Sequence, residues 1–435
     1  MAASTRREFL GTTAAAAATL ALGRSVYGAA EKRTLNLGLI GAGGYGMADA
    51  RAALRAGGTH LAAVCDVDSD HLGQSADELA KLQAGRPKTF KLYQDLLELK
   101  GLDAVIIATP PHWHALPFIA ALERGLDIYC EKPLAYDIRE GRAMVEAARR
   151  HGRIVQIGFQ RRQSPAFREV KQFIDSGGAG RIVQVDAQIH YTAGTKDPTP
   201  QAPPAALDWD LWCGPGPKIP YSPQVGHVNW RLEKTSGHGH LVDWGIHLID
   251  ACRTILGLAT PTQVTAAGGL YYLKGKITTP DTLSVHFEFD RAPLVWRHRI
   301  WGAEEYNPET GNGIFFYGDK ATVFAGDGKW VVLPRGKGAE RKAPAFEKAE
   351  ADLGLLHVED FLRAVRTRRP PTCLIDDAFR STATVQLAMI AYETASTIRW
   401  DAASEHIPGN PAAAQLLKRA YRPPWKHPFD RQGQP

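Results

Sequence analysis

The chain has too few and too scattered cysteines for a disulfide framework. Its 435 residues include five: Cys65, Cys130, Cys213, Cys252 and Cys373. The number is odd and no C-x-x-C occurs, which argues against a zinc ribbon or a vicinal redox pair. They read as free, mostly buried thiols. A strong charge of one sign is missing too. The formal charge is +6. Arg6, Arg7 and Arg24 against Glu8 give the first 30 residues a net +2, leaving a dispersed +4 for the rest. That is no footprint for nucleic acid. Beyond those residues no long uncharged apolar run occurs, so no transmembrane segment is expected. What remains is globular: 44% hydrophobic and 23% charged, with 42 glycines and 28 prolines that imply many turns and long loops. The length predicts two domains.

The rest is organised around Leu35 to Gly46, L-N-L-G-L-I-G-A-G-G-Y-G. Leu35, Leu37, Leu39 and Ile40 read as a short buried strand. Gly41, Gly43 and Gly46 follow at G-x-G-x-x-G spacing, with Gly44 and Tyr45 inside the turn, and an alanine-rich helix runs to Gly57. The glycines allow a tight turn, close approach to a pyrophosphate, and close helix–strand packing. The helix N-terminus then offers N–H groups and a dipole to the diphosphate. A second strand, His60 to Cys65, ends at Asp66, 20 residues past Gly46. A carboxylate there suits the hydroxyls of an adenosine ribose and repels a 2′-phosphate, which favours NAD and leaves NADP as the alternative.

Helix and strand patterns alternate onward. Asp68 to Leu82 is helical in period, Tyr93 to Leu99 is a short helix, and Asp103 to Thr109 is an apolar strand of the parallel-sheet type. T-P-P-H-W-H, Thr109 to His114, lies at its carboxyl end, where open α/β sheets bind ligands. Asp127 to Cys130 is the next strand, with Glu131-Lys132-Pro133 just past it. A helix from Ile138 to His151 and a strand from Arg153 to Gly158 complete the series.

G-A-G-G-Y-G, A-T-P-P-H-W-H and C-E-K-P together resemble the Gfo/Idh/MocA family, the glucose–fructose oxidoreductase and inositol dehydrogenase relatives. The resemblance implies a nicotinamide cofactor with Glu131 and Lys132 beside its reactive ring. It also implies a turn shaped by Pro133, through a cis bond before it, and a cofactor groove lined by Thr109, Pro110 and His114. Lys132 would contact the reacting hydroxyl or relay its proton. Pro111 departs from the polar residue of many relatives and receives no contact. Taken alone, E-K-P also fits a solvated turn.

After Gly158 the character changes. Gln160 and Arg162, with Pro165, resemble the family's entry into the substrate domain. Strand candidates follow at Ile182–Tyr191, Gln263–Tyr272, Asp281–Asp290, Leu294–Trp301, Gly313–Tyr317, Thr322–Ala325 and Lys329–Leu333. Their alternation predicts a large, mainly antiparallel sheet with one covered face. The fold class is thus an α/β Rossmann domain with a doubly wound parallel sheet, residues 31–158. An α+β domain follows, residues 159–400, then a tail, residues 401–435. By the resemblance the second sheet makes a homodimer or homotetramer. A proline-rich loop from Thr192 to about Val228 carries Trp209 and Trp212, which either stack on a sugar ring or anchor the loop. Helices near 355–368 and 376–397 are expected to return to the first domain.

Asp243, His247 and Asp250 fall at i, i+4 and i+7 of a mostly apolar helix and share one polar stripe. Oxidising an alcohol needs a base for the hydroxyl proton, and histidine suits that task. The resemblance makes Asp243 and His247 the catalytic pair beside Lys132, with Asp243 steadying His247; the stripe also fits a capped core helix. Trp230, Arg231 and His240 are expected to contact substrate. His238, His240 and His247 allow a metal by composition, but the family needs none and none is assigned.

Ser4 to Leu10, S-T-R-R-E-F-L, an apolar run to Leu22 and Gly28-Ala29-Ala30 resemble a twin-arginine export signal over residues 1–30, implying a periplasmic protein without a membrane anchor after cleavage. Dinucleotide is scarce outside the cytoplasm, so the cofactor would be tightly held and restored within one catalytic cycle. The activity expected is NAD-dependent hydride transfer on a sugar, polyol or glycoside. Two alternatives stand beside it: an NAD-dependent glycoside hydrolase working by transient oxidation, and a non-catalytic sugar-binding protein.

Overall fold

The computed structural model describes residues 33–302, 307–334 and 345–431. The expected export signal lies outside them. The first sheet has the order β3-β2-β1-β4-β5-β6, all parallel. Its strands are β1 (Leu35–Ile40), β2 (Thr59–Cys65), β3 (Lys88–Phe90), β4 (Ala104–Ile107), β5 (Asp127–Cys130) and β6 (Val155–Ile157). β4 and β5 are buried at every position, as central strands covered on both faces must be. The order reverses between β1 and β4, which opens a crevice at their carboxyl ends.

The second sheet has nine strands, ordered β14-β13-β12-β11-β7-β10-β9-β8-β15. They are β7 (Ile182–His190), β8 (Gln263–Gly269), β9 (Thr282–Glu288), β10 (Leu294–Arg299), β11 (Asn312–Gly318), β12 (Ala321–Gly326), β13 (Lys329–Pro334), β14 (Glu347–Lys348) and β15 (Ile398–Arg399). Only β7 and β10 among them pair in parallel. Burial alternates along β10: Leu294, Trp296 and His298 face inward, Val295, Arg297 and Arg299 outward. The α/β plus α+β fold class expected from the sequence is therefore observed. β3, β14 and β15, of three, two and two residues, are too short to carry a pattern in the sequence.

Two late helices return to the first domain. Leu353–Thr367 sets Val358, Phe361, Leu362 and Val365 against Leu37, Leu39 and Ala50. Ile375–Thr394 lies between the domains, and its Phe379 and Leu387 belong to one core that also holds Ile128 of β5 and Phe287 of β9. All five cysteines are free and buried. No described helix is long and apolar enough to cross a membrane.

Candidate active site

A cleft of about 990 Å³ runs from the glycine turn, across the carboxyl ends of the first sheet, to the second domain. At the turn, Gly41 has φ +93°, and a Cβ there would lie 2.7 Å from the Thr109 amide. A Cβ on Gly46 would lie 2.0 Å from the Gly41 carbonyl oxygen, so the helix Gly44–Ala56 packs directly on the strand end. Gly43 and Gly44 instead face open space. Asp66 lines the cleft; its carboxylate accepts hydrogen bonds from the Ala42 amide (2.8 Å) and the Asp68 amide (2.9 Å). It thus fixes the turn, while burial pushes its carboxyl pKa up. Thr109 and Pro110 line the cleft, and the Thr109 hydroxyl is buried without a hydrogen-bond partner.

The Lys132–Pro133 peptide is cis. Glu131 and Lys132 both reach the cleft from this turn. Glu131 is buried; its Oε1 accepts hydrogen bonds from Gln160 Nε2 (2.6 Å) and the Tyr129 hydroxyl (3.3 Å). Burial pushes its pKa up to about 7, against the pull of the Lys132 ammonium and these donors. Asp49 is buried nearby, and burial together with the Glu131 charge raises its carboxyl as well. Lys132 Nζ crosses to the second domain and donates to Asp243 Oδ1 (2.7 Å) and the Asp243 carbonyl oxygen (2.8 Å). Arg231 Nε approaches the other Asp243 oxygen at 3.3 Å.

Asp243 lies in a π-helical turn, Leu241–Gly245, that leads into the helix Ile246–Leu256. Such wider turns recur at functional sites. Spacing and the family resemblance pair Asp243 with His247. The structure turns its carboxylate to the two cations instead, because their full charges are within reach, and leaves His247 Nδ1 buried with no partner. His247 lines the cleft, edge-on to Phe159. Burial, then the Arg161 and Lys132 charges, hold its imidazole well below the usual histidine range, so it is neutral.

Gln160, Trp230 and Arg231 line the cleft, with the Arg231 guanidinium 4.4 Å from the Trp230 ring centre. Three other residues do not reach it. Arg162 is buried in ion pairs with Asp250 and Asp377 (2.6 Å each), so the third member of the polar stripe holds the fold together. Its neighbour Arg161 faces the cleft, paired with Asp327. His114 is buried behind the groove, its ring nitrogens 2.8 Å from the carbonyl oxygens of Pro133 and Thr109. It spans the two cleft-lining turns, and burial lowers its pKa to about 4. His240 is buried behind Tyr191, ring centres 4.8 Å apart, and Tyr191 faces the cleft in its place. His238, His240 and His247 do not converge; His238 stacks on Tyr136 at 4.0 Å. Trp209 and Trp212 stack on each other at 4.5 Å and are buried; Trp209 lies off the cleft as a loop anchor, while Trp212 also lines the cleft. Arg161, Tyr191, Trp113 and Trp425, none of them assigned a contact from the sequence, also line the cleft. Arg161 had a local signal in its adjacency to Arg162, and Trp113 in its place within T-P-P-H-W-H at a strand end; Tyr191 and Trp425 had none.

Residues 35–159 match the Gfo/Idh/MocA family model described as an oxidoreductase family with an NAD-binding Rossmann fold. Residues 208–399 match the C-terminal alpha/beta domain model of that family. Inositol 2-dehydrogenase of Salmonella typhimurium is 35% identical over 173 residues, 39% of this chain and 50% of that protein. Inositol 2-dehydrogenase 4 of Saccharopolyspora erythraea is 38% identical over 153 residues, 35% and 44% of the two chains. The chain thus spans about half the length of the curated relatives it matches. Among solved structures, levoglucosan dehydrogenase, complexed with NADH and levoglucosan, superposes with TM-score 0.65 at 20% identity, over 84% of this chain and 99% of that one. Aldose-aldose oxidoreductase from Caulobacter crescentus, complexed with glycerol, gives 0.64 at 20% identity, over 84% and 100%. At these identities the likeness is one of fold.

Proposed function

Because the chain belongs to the Gfo/Idh/MocA oxidoreductase family, we propose that it transfers hydride between a carbinol carbon of a sugar or polyol and NAD held in the long cleft. The observation that carries this reading is the meeting of Lys132, Asp243 and His247 in the same cleft as the Gly41–Gly46 turn. The residues present fit the cofactor. Gly43 and Gly44 leave open space where a diphosphate lies on the helix N-terminus, and Thr109 has an unpartnered buried hydroxyl facing the cleft. Asp66 stands where an adenosine ribose needs a carboxylate. When bound, NAD supplies a hydride acceptor.

The chain's own residues handle the proton. His247 is neutral with Nδ1 buried, which leaves Nε2 for the hydroxyl proton. The Lys132 ammonium offers a charge to the oxygen that loses it. Asp243 and the cis turn orient that ammonium, so Asp243 acts through Lys132. Arg231, Trp230, Tyr191 and Gln160 shape the substrate end.

The reading extends to export through the twin-arginine signal and to a tightly held cofactor, and to a dimer or tetramer through the outer face of the second sheet, where Val295, Phe315 and Tyr317 are half-buried. Mass spectrometry of the small molecule released on denaturation should find NAD. Sugars or polyols added to the native protein should then change the reduced-nicotinamide absorbance. Bound NAD with no spectral response, but with aglycone released from glycosides, would replace oxidoreduction by redox-neutral hydrolysis.

A further inference from the structure

Asp68, His71 and His227 come together at the Asp66 end of the cleft, and no step of the proposed reaction uses them. Asp68 caps the helix Ser69–Leu82, its Oδ1 accepting from the amides of Asp70 and His71. Its Oδ2 accepts from His227 Nε2 at 2.9 Å. His71 sits three residues on, over the same side of the first helical turn. His227 arrives from the proline-rich loop of the second domain with φ +25°, a conformation that costs a non-glycine residue energy and calls for a compensating contact. The two imidazoles lie face to face, ring centres 4.1 Å apart and tilted by 35°. No hydrogen bond engages the His71 ring among the described residues. One ligand atom from each of the three residues lies within 4.8 Å of the others. In a tetrahedral site with bonds of about 2.0–2.1 Å the ligand atoms stand about 3.4 Å apart.

We propose that Asp68, His71 and His227 bind one divalent transition-metal ion of the zinc, cobalt or nickel type. Two imidazoles and a carboxylate suit these ions and not magnesium or calcium, which prefer all-oxygen shells. Both histidines line the cleft, so the remaining coordination positions open to it and take water. Asp68 and His71 belong to the first domain and His227 to the second, so the ion ties the proline-rich loop to the ribose-side strand end. The other cluster of metal-ligating residues among those described, Asp137, Glu140 and His427, is closed: the Arg419 guanidinium bonds Glu140 Oε1 at 2.7 Å, and His427 bonds Asp137.

The test uses the full chain without a histidine tag, stripped with EDTA. Co²⁺ titration followed by visible absorption, and Zn²⁺ titration followed by calorimetry, should each show one equivalent bound, with no binding of Mg²⁺. Asp68→Asn, which keeps the helix cap, and His71→Ala should each weaken Zn²⁺ at least tenfold. His227→Gln can keep the hydrogen bond to Asp68 while supplying a poor ligand. It should melt like the wild type in EDTA and lose the rise in midpoint that Zn²⁺ gives the wild type. No metal bound by the wild type, or equal Zn²⁺ affinity in all three variants, would overturn the site. Neither result bears on NAD binding, which the released-cofactor measurement decides separately.

Discussion

At the scale of single residues, the site separates a charged pair from a neutral imidazole. Lys132 and Asp243 face each other at 2.7 Å with the Arg231 guanidinium behind, while His247 sits unpaired one turn on. Lys132→Met removes the charge that, in the proposed reaction, meets the developing oxyanion. It should lower kcat by 10²–10⁴, the usual worth of a positioned proton-handling group, with NAD affinity changed far less. Asp243→Asn should cost less, because the ammonium stays but is less firmly aimed. His247 gives a pH prediction. A base must be unprotonated, and burial keeps this imidazole neutral below the ordinary histidine value of 6.5. In the oxidation direction, the acid limb of kcat/KM should fall below pH 6.5, and an acid limb at neutral pH would remove His247 from the role. Glu131 supplies a stability counterpart. Its pKa rises from 4.5 unfolded to about 7 folded. Below pH 4.5 both states hold the proton; between 4.5 and 7 only the folded state does, so the carboxyl's contribution to stability falls as pH rises through that window. Glu131→Gln should therefore gain in melting temperature over the wild type, both free of cofactor, from pH 5 to pH 8. A constant difference would contradict this.

At the scale of elements, two glycines of one turn should respond in opposite ways. A Cβ on Gly46 meets the Gly41 carbonyl at 2.0 Å, backbone against backbone, with nothing flexible to yield. Gly46→Ala should lose about 1–3 kcal/mol of stability, the range for overpacking. Gly43 has φ −70° and no atom within 4 Å. Gly43→Ala should fold with a loss of no more than about 1 kcal/mol, yet weaken NAD at least tenfold, because its methyl occupies the space left for the diphosphate. Thermal melts and cofactor titration check both, and tight NAD binding by Gly43→Ala would displace the diphosphate from this turn. This stretch was legible in the sequence because each of its signals is local: an apolar strand, glycines at fixed spacing, an acid 20 residues on. β3, with K-T-F and two exposed positions, carries no periodic signal. The π-helical turn at Leu241–Gly245 was invisible for another reason, since its residues read as ordinary α-helix. The choice between Arg161 and Arg162 is set by the 3-10 turn Gln160–Gln163, which sends adjacent side chains to opposite sides. One faces the cleft, the other the buried Asp250, and no spacing argument distinguishes them.

At the scale of the whole molecule, the second domain and the tail close over the first. The proline-rich loop pairs with the end of β2: the Ser69 amide donates to the Ala206 carbonyl (3.0 Å), the Asp208 amide to the Val67 carbonyl (3.1 Å), and Lys91 bridges to Asp208. The tail, residues 401–435 in the sequence, crosses this loop with its described part. Arg422 bonds Asp210 (2.8 Å) and the Gly214 carbonyl (3.0 Å), and Trp425 meets Trp113 edge-on at 5.7 Å on the cleft wall. These contacts join residues 117 (Lys91–Asp208) to 312 (Trp113–Trp425) positions apart, which is why no local pattern announced them. Together they cover the end of the cleft nearest Asp66, where adenosine is expected. In the proposed reading, a cofactor under this cover leaves when the loop or the tail lifts, and retention then depends on Arg422, a residue outside the cleft wall. Arg422→Ala should raise the NAD dissociation rate at least tenfold, read by stopped-flow fluorescence or by the cofactor lost on dialysis. Turnover with NAD in excess should change less than about threefold, since the Lys132–Asp243 pair and His247 are untouched. Unchanged retention in Arg422→Ala would mean that the glycine turn alone holds the cofactor, and that the long loop and tail serve the fold and not the nucleotide.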